Sequence, residues 1–364
     1  MLNVPNHNSP VYLTTKGNLG NFASYSQEEL LNFIDHFSPE SQRLLSTLFK
    51  NSKIEYRHSI FNTLLDIKAE QNLKKISILS TAERNTLYRQ TAPKVFKDAA
   101  INLFHELDNF KVSDITHVIT ASCTGCYSPG PSDELIHSLN LEPTTERIHI
   151  GYMGCYAGLA AIRVAESICR ANLNANVLIV CVEISSLHWN KSESEDNMLS
   201  LSLFGDGSGA AILSSKKFKR SFELILTGTT LIPDSDQEMA WNMGECGFEM
   251  TLSRSVPNLI KNNLEKSLKN ITSVAKIDLN CIDYWAVHPG GAKILKTIEQ
   301  VFHLGPKQIS ASYETLNSFG NMSSATIMFV LEKILLQADQ NENVLALAFG
   351  PGLTIEKTLL KVSA

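Results

Sequence analysis

The chain has 364 residues, 43% of them hydrophobic and 19% charged, with a formal net charge of -5. This is ordinary globular composition, long enough to bury a large core. The acidic balance, with Lys and Arg scattered, argues against a nucleic-acid binder. No apolar run approaches the roughly 18 residues that a membrane-spanning helix needs. Met1 to Gly20 has neither the cationic start nor the apolar run of a signal peptide. Seven cysteines at irregular spacing fit free thiols in a reducing compartment, so a cytoplasmic protein is expected.

In chain order, residues 26–110 read as mostly helical. Ser26-Gln27-Glu28-Glu29 opens one helix as a cap with acidic first-turn residues. Thr81 starts another that runs through Ala92 to Phe104. Ile115 to Thr120, Arg147 to Gly151 and Val177 to Val182 then read as buried strands. The second half repeats the theme, with strands at Ala210 to Leu213 and Leu224 to Thr227. A helix runs from Pro257 through Ile260 to Lys269, and a strand from Tyr284 to Val287 ends at His288. A helix over Ser323 to Leu336 and strands over Val344 to Phe349 and Leu353 to Lys361 close the chain. Alternating strands and helices in both halves predict an α/β layered fold.

The segment Gly151-Tyr152-Met153-Gly154-Cys155-Tyr156-Ala157-Gly158 carries the strongest chemical signal. A strand ends in glycines, a cysteine follows, and a small-residue helix begins. The unpaired N–H groups and the dipole at such a helix start favour a thiolate, and cysteine pKa values fall to roughly 3.5–7.5 in such settings. The segment alone fits a nucleophile and a buried structural thiol equally well. In Val287-His288-Pro289-Gly290-Gly291, a histidine at a strand end sits in a tight turn, as a general base or as a satisfied core residue. In Ser318-Phe319-Gly320-Asn321-Met322-Ser323-Ser324-Ala325, Asn321 is either a cap or an amide donor to a developing oxyanion. Phe349-Gly350-Pro351-Gly352 joins two apolar strands as a turn.

These four segments, with Leu203-Phe204-Gly205-Asp206-Gly207 between the first two, occur in an order and spacing that resembles the type III polyketide synthases, the chalcone and stilbene synthase family, in a bacterial-like form. The likeness runs from about Ile76 to the C-terminus. It implies a thiolase fold layered αβαβα and built of two pseudo-symmetric halves, 1–216 carrying the nucleophilic cysteine and 217–364 carrying the histidine and asparagine. It implies a homodimer and a catalytic set of Cys155, His288 and Asn321. The implied reaction condenses an acyl starter with malonyl-CoA by decarboxylation and then cyclises the chain. It needs no metal or redox cofactor.

The resemblance also implies a cavity wall. Phe204 takes the place of one gatekeeper phenylalanine, and Met250 stands where plant members carry a second. Trp241 replaces a small cavity residue. Cys123, Thr124, His188, Ser323, Gly350 and Pro351 fall beside the cavity, and Ser128 points toward the partner subunit's cavity. Cys123-x-x-Cys126 lacks the second pair that zinc would need. The helix near Leu44 to Asn51 offers Arg43 and Lys50 without the basic pattern of plant members. That leaves room for an acyl starter delivered on an acyl carrier protein instead of CoA. The alternatives are a single-condensation ketoacyl-carrier-protein synthase III and, from another class, a catalytically silent scaffold of the same fold. A thiolase would need a further cysteine beyond Cys281, and no motif of an HMG-CoA synthase is present.

Overall fold

The computed structural model describes residues 9–61 and 75–363. Its core is a nine-stranded sheet. The strands are β1 (Tyr12–Asn18), β4 (His117–Ser122), β5 (Glu146–Gly151), β6 (Asn176–Glu183), β7 (Gly207–Ser214), β8 (Ser221–Leu231), β11 (Tyr284–Val287), β12 (Asn343–Gly350) and β13 (Thr354–Ser363). Two small two-stranded sheets lie outside it, β2 (Ala23–Ser26) with β3 (Tyr56–Ser59), and the hairpin β9 (Met239–Gly244) with β10 (Gly247–Leu252).

The sheet order is β11-β12-β13-β8-β1-β7-β6-β4-β5, and its pairings fall into two series of one pattern. In the first, β1 runs antiparallel to β7, β7 antiparallel to β6, and β6 parallel to β4. In the second, β8 runs antiparallel to β13, β13 antiparallel to β12, and β12 parallel to β11. The series meet where Tyr12 and Leu13 pair with Glu223 and Phe222.

Strand alternation distributes the apolar residues among three cores. Along β6, Val177, Ile179 and Cys181 face a central core, while Leu178, Val180 and Val182 face an outer one. Along β12, Val344, Ala346 and Ala348 face the same central core, and Leu345, Leu347 and Phe349 face the opposite outer one. Period-2 side-chain placement makes a run that is apolar throughout fit a strand buried on both faces. The helices Ala157–Ala171 and Thr326–Gln337 fill the central layer. Thr81–Phe104 covers one outer face, and Val256–Ala275 with Ala292–Phe302 covers the other. The result is the five-layered αβαβα arrangement of a thiolase fold.

The central helices touch closely. A Cβ built on Gly158 would lie 2.5 Å from the Ser324 carbonyl oxygen, so only glycine permits this approach.

Several expectations are corrected. The described part of 26–110 is mostly helical, through Gln27–Leu31, Pro39–Asn51 and Thr81–Phe104, but it also holds the short strands β2 and β3, which flank the first two helices. The expected cap at Ser26 is present as a reciprocal box with Glu29, and the long helix is capped by Ser80 in the same way. Arg147 to Gly151 is not a buried strand. It belongs to the edge strand β5, whose first four positions, Glu146 to His149, are exposed, because polar residues interrupt its apolar ones. The helix expected from Ser323 begins with a 3-10 turn, Ser323–Ala325, and becomes α-helical at Thr326. Among the described residues, no helix is long and apolar enough to cross a membrane.

Candidate active site

Four chain segments converge at one end of the sheet. Two follow strands: Cys123 comes directly after β4, and His288 directly after β11. Two precede the central helices: Cys155 lies in the 3-10 turn Gly154–Tyr156, and Asn321 and Ser323 lead into Thr326–Gln337. The turn before Cys155 is held by backbone geometry, with Tyr152 at φ 65° and Gly154 at φ 70°. A Cβ on Gly154 would meet the Pro351 ring at 2.6 Å, so the Gly350-Pro351-Gly352 turn closes directly over the Cys155 loop.

Cys155 and Asn321 side chains meet, with the sulfur 3.8 Å from both amide atoms of Asn321. Asn321 Oδ1 accepts the Ser323 N–H at 2.8 Å. That leaves Nδ2 as the group free to donate toward the sulfur. Asn321 is anchored by its own backbone: its N–H donates to the Leu203 carbonyl at 2.9 Å, and its carbonyl accepts from Gly205 N–H at 3.0 Å. Phe204, between those two residues, is thereby fixed beside it.

His288 is 1% exposed, and its N–H donates to the Leu347 carbonyl at 2.7 Å. Among the described residues neither ring nitrogen has a hydrogen-bond partner, so His288 is not bonded to Cys155 or Asn321 in this state. The turn that carries it is nonetheless contiguous with theirs. Gly291 packs against the side chain of Leu203, the residue that anchors Asn321.

The electrostatics correct the expectation of a lowered cysteine pKa. Burial pushes the Cys155 thiol up to about 11, against a smaller opposing effect of its hydrogen bonds to Ser323 and Asn321. Burial also drives the His288 imidazole down to about 3. Both shifts penalise charge, so the resting pair is neutral thiol and neutral imidazole. The helix start that the sequence offered as a thiolate stabiliser is outweighed by desolvation.

A cavity of about 1220 Å³, counting solvent at its mouth, reaches Cys155. Phe204, Met250, Trp241, Cys123, Thr124, His188, Ser323 and Pro351 all line it. Gly350 lies behind this wall, against the Tyr156 ring. His288 and Asn321 are not on the cavity surface, and neither is Ser128, which is exposed. Cys123 Sγ accepts the Gly154 N–H at 3.0 Å, tying the first strand end to the turn that carries Cys155. Burial raises its thiol pKa well above the usual value.

Several supporting residues went unread in the sequence. Glu183, fully buried at the end of β6, accepts from Cys123 N–H at 3.0 Å and from Ser324 Oγ at 2.5 Å. Burial lifts its carboxyl to about 7. A carboxylate ending a wholly apolar strand was the available signal. Arg57 donates to the Leu201 and Phe204 carbonyls at 2.5 and 2.8 Å, so β3 fixes the backbone of the Phe204 segment. Asp206 accepts from Ser186 and Ile60 N–H groups, and burial raises it to about 6. Tyr25, Leu30, Phe33 and Phe61 extend the apolar wall from the N-terminal region, whose polar sequence gave no sign of it.

Comparison with known proteins agrees with this architecture. The chain is 28% identical over 347 residues to "Probable polyketide synthase 1" of Dictyostelium discoideum, covering 92% of this chain and 11% of that protein. It therefore spans about a ninth of that relative's length. Among solved structures, it superposes with TM-score 0.86 on the C-terminal type III polyketide synthase domain of Steely1, a type I/III hybrid from Dictyostelium, at 26% identity. That match covers 97% of this chain and 98% of the other. PKS-I from the brown alga Ectocarpus siliculosus matches with TM-score 0.86 at 25% identity, over 97% and 98% of the two chains. The N-terminal domain of the chalcone and stilbene synthases matches residues 29–217, and their C-terminal domain matches residues 223–363. The chain belongs to the chalcone and stilbene synthase family.

Proposed function

We propose that the protein is a type III polyketide synthase that builds a chain on Cys155 from an acyl thioester and malonyl-CoA. The observation that carries this reading is the 3.8 Å contact of Cys155 with Asn321 at the end of a large cavity. The 1–216 half supplies the nucleophile and the 217–364 half the donors.

Cys155 takes the acyl group from its thioester, and the carrier thiol leaves with a proton. His288 accepts the Cys155 proton as substrate enters and returns it to the leaving thiolate. Both groups are neutral at rest, so the transfer needs the developing negative charge at the substrate oxygen to drive it. The amide of Asn321 and the N–H of the neutral imidazole then hold the thioester oxygen of malonyl-CoA. Loss of carbon dioxide leaves an enolate at that oxygen, which attacks the acyl carbonyl and expels the Cys155 thiolate. One such donor is worth about 2.7–4 kcal/mol of transition-state stabilisation in a comparable oxyanion site. Further rounds and cyclisation to a pyrone, resorcinol or phloroglucinol-type product follow. Each step is within reach of a thiol, an imidazole and an amide, and we assign no metal or redox cofactor to it.

We further propose a cytoplasmic homodimer. The unpaired edge of β5 and the exposed Ile148, Tyr152 and Met153 beside it are where a second copy would pair. Ser128 would then approach the partner's cavity. The exposed Arg43 and Lys50 are few for gripping CoA phosphates, which supports starter delivery on an acyl carrier protein as a second route.

The test is mass spectrometry of products from a panel of acyl-CoA and acyl-carrier-protein starters with malonyl-CoA. Extended, cyclised products are expected. A product that stops after one condensation, uncyclised, would replace this reading by a ketoacyl synthase.

A further inference from the structure

The β9–β10 hairpin is a strip of cavity wall outside the main sheet. Its register pairs Phe248 with Met243, Met250 with Trp241 and Leu252 with Met239. All six share one face, because alternate residues of paired strands point the same way. The other face carries Glu249, Asn242, Thr251 and Ala240. The apolar face closes the cavity through Met239, Trp241, Phe248 and Met250.

The hairpin is fastened at both ends. At the tip, Thr81 N–H donates to the Glu245 carbonyl at 2.8 Å, and Gly247 N–H donates to Thr81 Oγ1 at 2.9 Å. At the base, Ser253 N–H donates to the Glu238 carbonyl at 2.9 Å and Gly352 N–H to the Met239 carbonyl at 3.2 Å. Between them lies His188. Its Nε2 is 2.8 Å from the Thr124 carbonyl oxygen, and Phe248 N–H reaches its Nδ1 at 3.2 Å. A carbonyl only accepts and an amide N–H only donates, so one neutral tautomer serves both bonds, with the proton on Nε2. The His188 ring stacks on Phe248 at 4.1 Å and 13°, and Phe248 stacks on Trp241 at 4.7 Å and 23°. Trp241 in turn meets Tyr152, three residues before the nucleophile, at 5.5 Å. Burial holds the imidazole down to about 4, with the Thr124 bond opposing, so it is neutral across the working range.

We propose that His188 is a positioning residue that latches the turn-proximal end of this hairpin to the Thr124 loop, fixes the Phe248–Trp241 stack as a wall of the cavity, and so limits how many extensions a chain receives before release. The inference rests on the polyketide synthase reading for its chemistry and on the hydrogen-bond geometry for its mechanism. Two variants separate a latch from a mere filler of space. His188→Asn places an acceptor near the Nδ1 position and keeps the bond to Phe248. His188→Gln reaches the Thr124 carbonyl but leaves Phe248 N–H unmet.

The experiment measures the ratio of longer to shorter products by mass spectrometry, with amide exchange at Phe248 as the structural readout. His188→Gln and His188→Ala should shift the ratio toward longer chains by about two- to tenfold, the range of one hydrogen bond, and speed Phe248 exchange. His188→Asn should restore both toward wild type. Equal ratios for the Asn and Gln variants, or an unchanged ratio in His188→Ala, would overturn the latch. Were His188→Ala to unfold, the Asn–Gln pair carries the comparison alone. If the wild-type protein makes no extended product, the polyketide synthase reading fails, and Phe248 exchange in the Asn–Gln pair decides the latch.

Discussion

The two halves of the molecule use one strand pattern and put different chemistry on it. After β4 the first half places Cys123; after β11 the second places His288. Before its central helix the first half has Cys155, and before its own the second has Asn321 and Ser323. Both pairs of turns meet where Gly158 touches Ser324. The repeat supplies a scaffold that presents two loops from each side to a common point. The division of labour lies in which side chain each loop carries, sulfur from one half and nitrogen donors from the other.

The most severe way to break that division is to remove the proposed nucleophile. Cys155→Ala should abolish acyl labelling of the protein and all product, read by intact-protein mass spectrometry after incubation with an acyl thioester. Retained product formation would remove Cys155 from the mechanism. On the other side, Asn321→Ala should still acylate Cys155 but lose decarboxylation of malonyl-CoA by about 10²–10³, the cost of one oxyanion donor. Release of labelled carbon dioxide reads it directly. Loss of acylation and decarboxylation in equal measure would mean that the two halves do not divide the work.

A third measurement concerns the charge state of the pair. With the Cys155 thiol pushed up to about 11 by burial, the thiolate is scarce near neutrality. Alkylation of Cys155 by iodoacetamide, located by peptide mass spectrometry, should rise by about tenfold per pH unit from pH 7 to 10 and level off only near 11, since the thiolate is the nucleophile. The sign follows from the direction: a raised pKa keeps the proton on longer, so reactivity arrives late. A plateau already reached by pH 7 would show that His288 holds the proton at rest.

How far the sequence revealed this arrangement differs between regions for physical reasons. β6, β11 and β12 were legible because a strand buried on both faces is apolar throughout, and the short, β-branched or aromatic runs Val177 to Val182, Tyr284 to Val287 and Val344 to Phe349 fit a strand better than a helix. Cys155, His288 and Asn321 were legible because each stands beside glycines that tight turns demand. The β9–β10 hairpin was not, although Met239 to Met243 and Phe248 to Leu252 alternate, because two strands this short carry little pattern before their glycines interrupt it. The protonation state at Cys155 could not be read at all. A helix start is a local feature, but desolvation depends on what the other half packs over it. Glu183 and Arg57 escaped for a similar reason, since each owes its buried partners to segments far away in sequence.

The smallest effect tests the contact between the halves itself. In an open helix, Gly→Ala stabilises by about 1 kcal/mol because glycine loses the most backbone entropy. At Gly158 the added methyl would sit 2.5 Å from the Ser324 carbonyl oxygen and 2.8 Å from the Ile327 side chain. The carbonyl is backbone and cannot rotate away, so the central helices must separate. Overpacking of this kind costs about 1–3 kcal/mol, which outweighs or cancels the helical gain. Gly158→Ala should therefore lower or leave unchanged the denaturation midpoint in urea, and it should slow acylation, because Cys155 and Asn321 ride on the helices being parted. A variant that is more stable than wild type would mean that the two halves are not held in register at this point, and the alignment of sulfur and amide would then need another cause.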